Sequence, residues 1–437
     1  MIVKCDKETE LNFEVLPPLY LPFYNQWGSN VYYQYGPFSY NPFTILCSST
    51  SGSPVVLTSG GFFGFLNESG GEFVYDGKCI LTVKCKAGQE FYYNENCNPY
   101  DEWLKYNDII ISRFDKGHTE DFWSGLEYCT WVDQKRASED LGSTNLQQCI
   151  TETYVYDYMK RIEKMRLPKG KLTIDDGWDT LYTENGRRIY GNWQIDREKF
   201  PHMERLVKDM TDEGFLPGLW FAPFTLTHDC EIAKKYPDLV GDKWMQNSES
   251  GLNWMFIEPD PILEKYYTDI FTYYISMGFR KLKLDISYGN KTKMKKLLKM
   301  MYEIIKKIDP TVEVEAHVPD IFVSRYCDTV RINDVAFDPQ GKWRGVTMEH
   351  YKVCRYSSSD KILNLDHLGT NTPTPGEDEY LEHTKMLLRL KGGYPCVSLL
   401  PDRFGKAATD IYVGEVREWY ENNLSENKKK LNQGLKV

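Results

Sequence analysis

The sequence predicts an α/β protein in which a (β/α)₈ TIM barrel follows a small all-β domain. Two patterns support this prediction. Residues 13–114 form short β-type runs separated by Gly, Pro, Asn and Ser, whereas the chain after residue 117 alternates short apolar runs with amphipathic helices. We therefore divide the 437 residues into an all-β N-terminal domain, 1–117, and a (β/α)₈ barrel with a C-terminal helix, 118–437.

The clearest strand of the first domain lies near residue 80. Its apolar residues are Cys79, Leu81, Val83 and Cys85, and the residues between and after them are Ile80, Thr82, Lys84 and Lys86. A mostly apolar face that alternates with a mostly polar one is typical of a half-buried antiparallel strand.

Eight apolar runs after residue 117 are candidate barrel strands. They are Leu126–Val132, Lys171–Trp178, Leu216–Phe224, Lys281–Ile286, Val312–Val318, Thr329–Val335, Lys361–Leu368 and Tyr394–Pro401. Between them, 293–308 and 203–210 carry apolar residues at the i, i+3, i+4 spacing of a helix. Eight strand–helix units in this length match a (β/α)₈ barrel with insertions.

Charge and cysteine content exclude several classes of protein. The net charge is −10, from 53 Lys and Arg against 63 Asp and Glu, which disfavours nucleic-acid and anionic membrane partners. No apolar run reaches the ~18 residues of a membrane span, and the N-terminus lacks a secretory pattern. The 11 cysteines are scattered without a CxxC pair, which fits neither a disulfide framework nor a zinc ribbon. We expect a cytoplasmic protein with no nucleic-acid or membrane partner. The sequence is compatible with a homo-oligomer.

Charged residues stand at the ends of four predicted barrel strands, where barrel active sites are built. The second, fourth, sixth and seventh strands end in Asp175-Asp176, Lys283-Leu-Asp285, Arg331-Ile-Asn-Asp334 and Asp366-His367. These acids are predicted to converge on one mouth, where two carboxylates can serve as nucleophile and general acid/base. Structural alternatives stay open: a helix N-cap for Asp285, a surface turn for Asp334, and a turn before Gly177 for Asp175 or Asp176.

Four tryptophans also fall near strand ends. They are Trp131, Trp178, Trp193 and Trp220. A pyranose offers hydroxyls to charged side chains and an apolar C–H face to an aromatic ring. Each Trp taken alone is expected in the core, but four at one rim predict a platform for a sugar.

An ordered set of motifs extends over residues 125–340: Tyr128-Cys-Thr-Trp131, Leu172-Thr-Ile-Asp-Asp-Gly-Trp178, Gly191-Asn-Trp193, Lys199-Phe-Pro201, Gly214 and Gly218-Leu-Trp-Phe-Ala-Pro223. Taken together, these motifs resemble those of glycoside hydrolase family 36, the α-galactosidases and raffinose synthases. The resemblance implies retaining α-glycoside chemistry on an oligosaccharide substrate, without metal or cofactor.

The resemblance also implies roles for individual residues. Asp285 would be the nucleophile and Asp334 the acid/base. Asp175 and Asp176 would bind O4 and O6 of the sugar, Lys283 would bind O3 or O4, Trp220 would line the same subsite, and Arg331 would lie near O2. Trp131 and Trp178 complete the predicted substrate-binding set.

Some features depart from the family pattern. The spacing of 49 residues between Asp285 and Asp334 is short, which keeps Asp338 as a reserve candidate for the acid/base. The segment after the fifth strand reads Glu315-Ala-His317, and either of these side chains could contact the substrate or cap the strand. The N-terminal domain is shorter than usual, and no C-terminal β-sandwich is evident after the eighth strand.

The sequence predicts a retaining α-glycosidase, most simply an α-galactosidase that hydrolyses terminal α-galactosides of oligosaccharides. Three alternatives remain open: an α-galactosyl transglycosylase of the raffinose-synthase type, a non-catalytic galactoside-binding barrel, and a metal-dependent barrel hydrolase. The seven histidines include no HxH or HExxH pair, which disfavours the last.

Overall fold

The computed structural model describes residues 1–22, 43–114, 117–142, 146–179, 188–246, 253–287, 291–332, 335, 337–366 and 375–434. Its N-terminal part contains ten strands: β1 Ile2–Cys5, β2 Thr9–Glu14, β3 Tyr20–Pro22, β4 Phe43–Ile45, β5 Ser49–Ser53, β6 Val55–Leu57, β7 Phe62–Phe65, β8 Gly71–Tyr75, β9 Ile80–Cys85 and β10 Gln89–Asn94. They form a six-stranded sheet, β1-β10-β7-β6-β3-β4, and a four-stranded sheet, β2-β9-β8-β5.

The two sheets enclose a core of their own. In β9, Leu81, Val83 and Cys85 are buried while Ile80, Thr82 and Lys84 are half-buried, which confirms the predicted alternation for these residues. Cys79, predicted on the apolar face, is exposed just before the strand begins. The six-stranded sheet is buried on both faces: Val56 and Phe63 pack into the core between the sheets, whereas their neighbours Val55 and Phe62 join the core of the barrel.

A helix, α1 (Pro99–Ile111), lies within the region predicted to be entirely β-structure, so that prediction is wrong for residues 99–111. The Asn98 side chain caps the helix by accepting from the Tyr100 and Asp101 amides at 3.0 and 3.4 Å. Trp103 is buried and stacks on Tyr356 with ring centroids 5.7 Å apart, so the helix connects the sheets to the barrel.

All eight predicted barrel strands are confirmed. They are β11 Glu127–Cys129, β12 Lys171–Ile174, β13 Leu216–Phe221, β17 Lys281–Leu284, β18 Glu313–Ala316, β19 Thr329–Arg331, β20 Ile362–Leu365 and β21 Gly393–Val397, where β14 to β16 are Thr225–Thr227, Val240–Gln246 and Asn253–Ile257. Every neighbouring pair in the barrel is parallel, and β11 pairs with β21 to close it. The strands β14 to β16 form a separate three-stranded antiparallel sheet between the third and fourth barrel strands.

Helices connect the barrel strands. They are α2 Trp131–Asp140, α3 Leu146–Cys149, α4 Glu152–Lys164, α5 Met203–Asp212, α6 Glu231–Lys235, α7 Pro261–Met277, α8 Lys291–Ile308, α9 Trp343–Ser357, α10 Glu377–Arg389 and α11 Lys406–Gly434. The helices predicted near 203–210 and 293–308 are present as α5 and α8. None of the helices in the described part of the chain is both long and apolar enough to cross a membrane.

The inside of the barrel is charged rather than filled with branched apolar side chains. The buried Lys281 ammonium lies 2.5 Å from Glu315 and also contacts Glu127, and the buried Lys171 ammonium lies 3.0 Å from Glu313. Tyr394 adds its hydroxyl at 3.2 Å from the Lys281 ammonium. These groups form a network of ion pairs in the barrel interior, and the candidate site lies directly above them.

Candidate active site

The charged residues of the barrel interior continue along the strands to the C-terminal mouth of the barrel. Side chains two residues apart on a strand face the same side. Beyond Lys281 on β17 come Lys283 and then Asp285, and Lys283 lies 3.8 Å from Asp285. Both side chains therefore face the barrel interior, as the alternation in the sequence predicts.

Donors lie on both carboxylate oxygens of Asp285. Its Oδ2 accepts from the Trp220 indole N–H at 2.9 Å, and its Oδ1 accepts from the Arg331 guanidinium at 3.1 Å and the Ile286 amide at 2.8 Å. Burial acts to raise the pKa of Asp285, but Arg331 and Lys283 outweigh it and hold the pKa well below its ordinary value. The carboxylate is therefore ionised and oriented by donors on both oxygens.

The backbone beside Asp285 is strained. Ile286 has φ +55°, which a β-branched residue rarely adopts. This conformation places the Ile286 amide on the carboxylate of the preceding residue. The carboxylate of Asp285 therefore accepts a hydrogen bond from the backbone N–H of the next residue, and this bond is not a helix cap.

Asp175 lies beside Asp285 through their shared neighbour Lys283. The Lys283 ammonium lies 2.8 Å from Asp175 Oδ2, and the Cys129 thiol donates to the same oxygen at 3.1 Å. Burial acts to lower the pKa of Lys283, but Asp175 outweighs this and keeps the pKa well above its ordinary value. The lysine thus remains charged between two carboxylates.

Asp176 points to a different set of partners. The Arg188 guanidinium lies 2.8 Å from its Oδ1, and Gln147 and Tyr190 donate to its Oδ2 at 3.1 and 3.3 Å. The turn that follows requires glycine, because Gly177 has φ +115° and a Cβ there would lie 2.7 Å from the Gln147 carbonyl oxygen. The sequence gives no local signal for Gln147, which lies on α3, or for Arg188, which comes from a separate part of the chain.

Arg331 bridges Asp285 to Asp366, so the acid at the end of the seventh strand does join the cluster. The predicted acid/base Asp334 lies outside the described residues. The carboxylate of the reserve candidate Asp338 accepts hydrogen bonds from the backbone N–H groups of Lys342 and Trp343, at 3.1 and 2.8 Å. These two N–H groups lie at the start of α9. Asp338 therefore has a structural role as a helix-capping residue.

The predicted tryptophan platform is wrong for Trp178 and Trp193. Trp178 is 0% exposed, its indole N–H donates to the Trp220 carbonyl oxygen at 2.8 Å, and its ring packs edge-on against Tyr274. Trp193 is 2% exposed and packs against Trp220. Of these three, Trp220 is the one whose side chain contacts Asp285, and Trp131 is partly exposed at the start of α2.

The two side chains left open after the fifth strand have different positions. Glu315 lies inside the barrel below the mouth, where its Oε2 contacts Lys281 and accepts from the Asn364 amide at 2.7 Å. His317, two residues further, stands at the level of Asp285 and is 1% exposed. Glu315 is therefore part of the ion network, and His317 is part of the mouth.

The fold and the site together define a TIM-barrel protein with a buried cluster of carboxylates and cations at the C-terminal ends of its strands, the place where barrel enzymes build their active sites. Comparison with known proteins then confirms the family resemblance. A model of the Melibiase family matches residues 145–258. This segment contains the Asp175-Asp176 and Trp220 motifs.

Related sequences and structures agree with this match. Over 68 residues the chain is 30% identical to Alpha-galactosidase 1 of Pediococcus pentosaceus and 32% identical to Alpha-galactosidase AgaA of Geobacillus stearothermophilus. The structure matches the family 36 α-galactosidase AgaB from G. stearothermophilus with a TM-score of 0.64 at 12% identity, over 95% of this chain. It also matches a family 31 dextranase from Flavobacterium johnsoniae with a TM-score of 0.65 at 13% identity, over 96% of this chain and 55% of the dextranase. At these identities the structural matches establish the fold.

The chain corresponds to only part of these proteins. The sequence matches cover 15% of this chain and 9% of each named α-galactosidase. The structural match covers 62% of the AgaB chain.

Proposed function

We propose that the protein is a retaining α-galactosidase that hydrolyses terminal α-galactosides of oligosaccharides by double displacement. The observation that carries this proposal is the Asp285 carboxylate, ionised at the barrel mouth and held by donors on both oxygens. Structures of the related AgaA are described in complex with raffinose and with stachyose, which are α-galactosides of this type.

Asp285 meets the requirements of the nucleophile. A nucleophile must be ionised before it attacks the anomeric carbon, and Arg331 and Lys283 favour the charged form of this carboxylate. The same two cations stabilise the carboxylate again when water displaces it from the glycosyl-enzyme. Fixed donors that stabilise charge without reorganising are the principal electrostatic contribution to such steps.

Asp334 is proposed as the general acid/base. In the sequence it follows Arg331, the last residue of β19, by three residues, and β19 lies two strands from β17, after which Asp285 comes. A retaining mechanism needs a second carboxyl about 5–5.5 Å from the first. The alternative, Asp338, is already used by the amides at the start of α9. Asp334 would protonate the leaving oxygen and then accept a proton from the attacking water.

The remaining charged groups are proposed to bind the sugar hydroxyls. Asp175 and Lys283 form one adjacent donor and acceptor pair, and Asp176 with its guanidinium partner Arg188 forms a second. Such pairs match sugar hydroxyls, which both donate and accept hydrogen bonds. Trp131 is partly exposed and is proposed to contact the sugar or its aglycone.

The test is hydrolysis of a panel of 4-nitrophenyl α- and β-glycosides, with the product anomer followed by NMR from the first turnovers. We expect turnover of the α-galactoside and initial release of α-galactose. A panel without α-galactoside turnover would refute the activity, and initial release of β-galactose would refute the retaining mechanism. Asp285→Asn is the inactive control, because it keeps the shape of the side chain and removes its charge.

The same panel with added sucrose tests the acceptor. Formation of a trisaccharide at the expense of free galactose would show transglycosylation in place of hydrolysis. A cytoplasmic location is part of the proposal. Its support is the sequence pattern of the 11 cysteines, which are scattered without a CxxC pair and fit no disulfide framework.

A further inference from the structure

Tyr190 is a buried side chain that contacts groups on two sides of the candidate site. Its hydroxyl donates to Asp176 Oδ2 at 3.3 Å. Its ring centroid lies 6.1 Å from that of Trp220, and the Trp220 indole N–H in turn donates to the Asp285 carboxylate at 2.9 Å. One side chain therefore contacts a proposed sugar-binding carboxylate through its oxygen and the hydrogen-bond partner of the proposed nucleophile through its ring.

The small sheet of β14, β15 and β16 holds Tyr190 in place. On β14, Thr227 donates its backbone N–H to the Tyr190 carbonyl oxygen at 3.1 Å, and its hydroxyl oxygen accepts the Tyr190 backbone N–H at 3.1 Å. On β16, the buried Trp254 ring packs edge-on against the Tyr190 ring, with centroids 5.3 Å apart. The backbone and the ring of Tyr190 are therefore both fixed by the sheet inserted between the third and fourth barrel strands.

The Tyr190 hydroxyl is a neutral donor. Burial, together with the charge of Asp176, raises the pKa of Tyr190 well above its ordinary value, so the proton stays on the phenol oxygen. The Arg188 guanidinium lies 4.5 Å from the centroid of the Tyr190 ring and 2.8 Å from the other oxygen of Asp176. Tyr190 and Arg188 thus pack against each other and hold the carboxylate of Asp176 by both of its oxygens.

The two contacts of Tyr190 act on different stages of the proposed reaction. Asp176 is proposed to hold a sugar hydroxyl before and during the reaction, and weakening an interaction made equally in both states raises KM and leaves kcat unchanged. Trp220 orients Asp285, and misplacing an attacking group lowers kcat. The hydroxyl of Tyr190 should therefore affect KM, and its ring should affect kcat.

We propose that Tyr190 is a positioning residue for the reaction: its hydroxyl holds Asp176 in place for the sugar, and its ring holds Trp220 against Asp285. This rests on the proposed function and goes beyond it, because it gives the inserted sheet β14–β16 a role in supporting both groups. A side chain orients its neighbours only if its own position is fixed, and the contacts with Thr227 and Trp254 fix that of Tyr190.

The experiment measures kcat and KM for 4-nitrophenyl α-galactoside in the wild type, Tyr190→Phe and Tyr190→Leu, with thermal unfolding as the check that each variant folds. Phe removes the hydroxyl and keeps the ring, whereas Leu removes both. We expect Tyr190→Phe to raise KM roughly 3- to 10-fold with kcat within about twofold of the wild type. Tyr190→Leu should raise KM by a similar factor and also lower kcat roughly 10- to 100-fold. If the Leu variant does not fold, Tyr190→Met replaces it, because the flexible Met side chain fills irregular space.

A double-variant cycle tests whether the ring acts through Trp220. Trp220→Phe removes the indole donor to Asp285, so adding Tyr190→Leu in that background should lower kcat by less than about threefold. An equal loss of kcat from Tyr190→Leu in both backgrounds would overturn the assignment, because the ring would then act on something other than Trp220.

Tyr106→Phe is the matched control, since Tyr106 is also buried and its hydroxyl donates to the Phe65 carbonyl oxygen at 2.5 Å in the N-terminal part of the chain. Its kcat and KM should equal those of the wild type. If the wild type hydrolyses the α-galactoside and Tyr190→Phe keeps the wild-type KM, or Tyr190→Leu keeps the wild-type kcat, the assignment of Tyr190 is wrong while the proposed function stands. If the wild type does not hydrolyse this substrate, the proposed function itself fails, and this assignment fails with it.

Discussion

Replacing Lys281 by Met removes the cation at the centre of the ion network inside the barrel. Lys281 is completely buried, and its ammonium contacts Glu127, Glu315 and the Tyr394 hydroxyl. Burial acts to lower the pKa of this ammonium, but the surrounding glutamates outweigh it and raise the pKa above its ordinary value. Met has a similar length and no charge, so the change leaves the glutamates without their main partner.

The size of the effect follows from Glu315. Burial acts to raise the pKa of this carboxyl, but Lys281, followed by Lys283 and Arg331, outweighs it and lowers the pKa to about 2 from 4.5. At about 1.4 kcal/mol per unit this corresponds to roughly 3 kcal/mol, within the ~3–5 kcal/mol typical of breaking a buried ion pair. With about 2.1 cal/mol/K of unfolding entropy per residue, a chain of 437 residues should lose roughly 3–6 °C in Tm.

The assay is thermal unfolding followed by tryptophan fluorescence at several pH values. Because the folded-state pKa of Glu315 is lowered, its stabilisation is present above pH 4.5 and is lost as the pH falls towards 2, so the difference in Tm should shrink over that range. The double variant Lys281→Met/Glu315→Gln should recover at least half of the loss.

Lys265→Met is the matched control, since this lysine is 76% exposed and pairs with Asp269 at 2.7 Å on the surface of α7. It should change the free energy of unfolding by less than about 0.5 kcal/mol. A Lys281→Met variant as stable as this control would refute the reasoning, because the network would then contribute nothing that a buried methionine cannot replace.

Three further changes test the mouth of the barrel. Burial raises the pKa of Asp179 to about 6 despite its ion pair with Arg188, so ionisation of this carboxyl destabilises the fold as the pH rises from about 4 to 6. Asp179→Asn should therefore raise the free energy of unfolding in urea by about 2–3 kcal/mol at pH 7 and by little at pH 4. A lower free energy of unfolding at pH 7 would contradict this. Gly177→Ala should lower both Tm and kcat/KM, because φ +115° is strained for alanine and its Cβ would lie 2.7 Å from a backbone oxygen. Wild-type values of Tm and kcat/KM would show that the turn can relax to accept the Cβ. Asp366→Asn should lower kcat about 10- to 100-fold by loosening Arg331, with Tm within a few degrees of wild type, and unchanged kcat would show that Arg331 needs no second anchor.

The barrel could be predicted from the sequence because each strand is a short apolar run between helices of regular period. Strand alternation also predicts which side chains face the mouth, since Lys283 and Asp285 are two residues apart and both face the interior. The error at Trp178 has another cause: β12 ends at Ile174, and Trp178 follows the Gly177 turn, where strand alternation no longer applies.

Other features depend on contacts between distant parts of the chain. Arg188 joins Asp176 from a separate loop, and no local pattern marks it as a partner. Helix α1 did leave a signal, since Asn98 and Pro99 begin it as an N-cap and a first-turn proline. Its buried Trp103 could not be distinguished in the sequence from the many aromatic residues of the flanking strands.

The measurement that tests the assignment of the nucleophile most directly is rescue of Asp285→Gly by azide with 4-nitrophenyl α-galactoside. Without a nucleophile the variant should lose nearly all activity, and azide in the vacated space beside Arg331 should restore release of nitrophenol and give β-galactosyl azide. Asp175→Gly should lose activity without rescue, because its carboxylate pairs with Lys283 and is not proposed to attack the sugar. Wild-type activity in Asp285→Gly, or an azide product of α configuration, would contradict the assignment of Asp285 as the nucleophile.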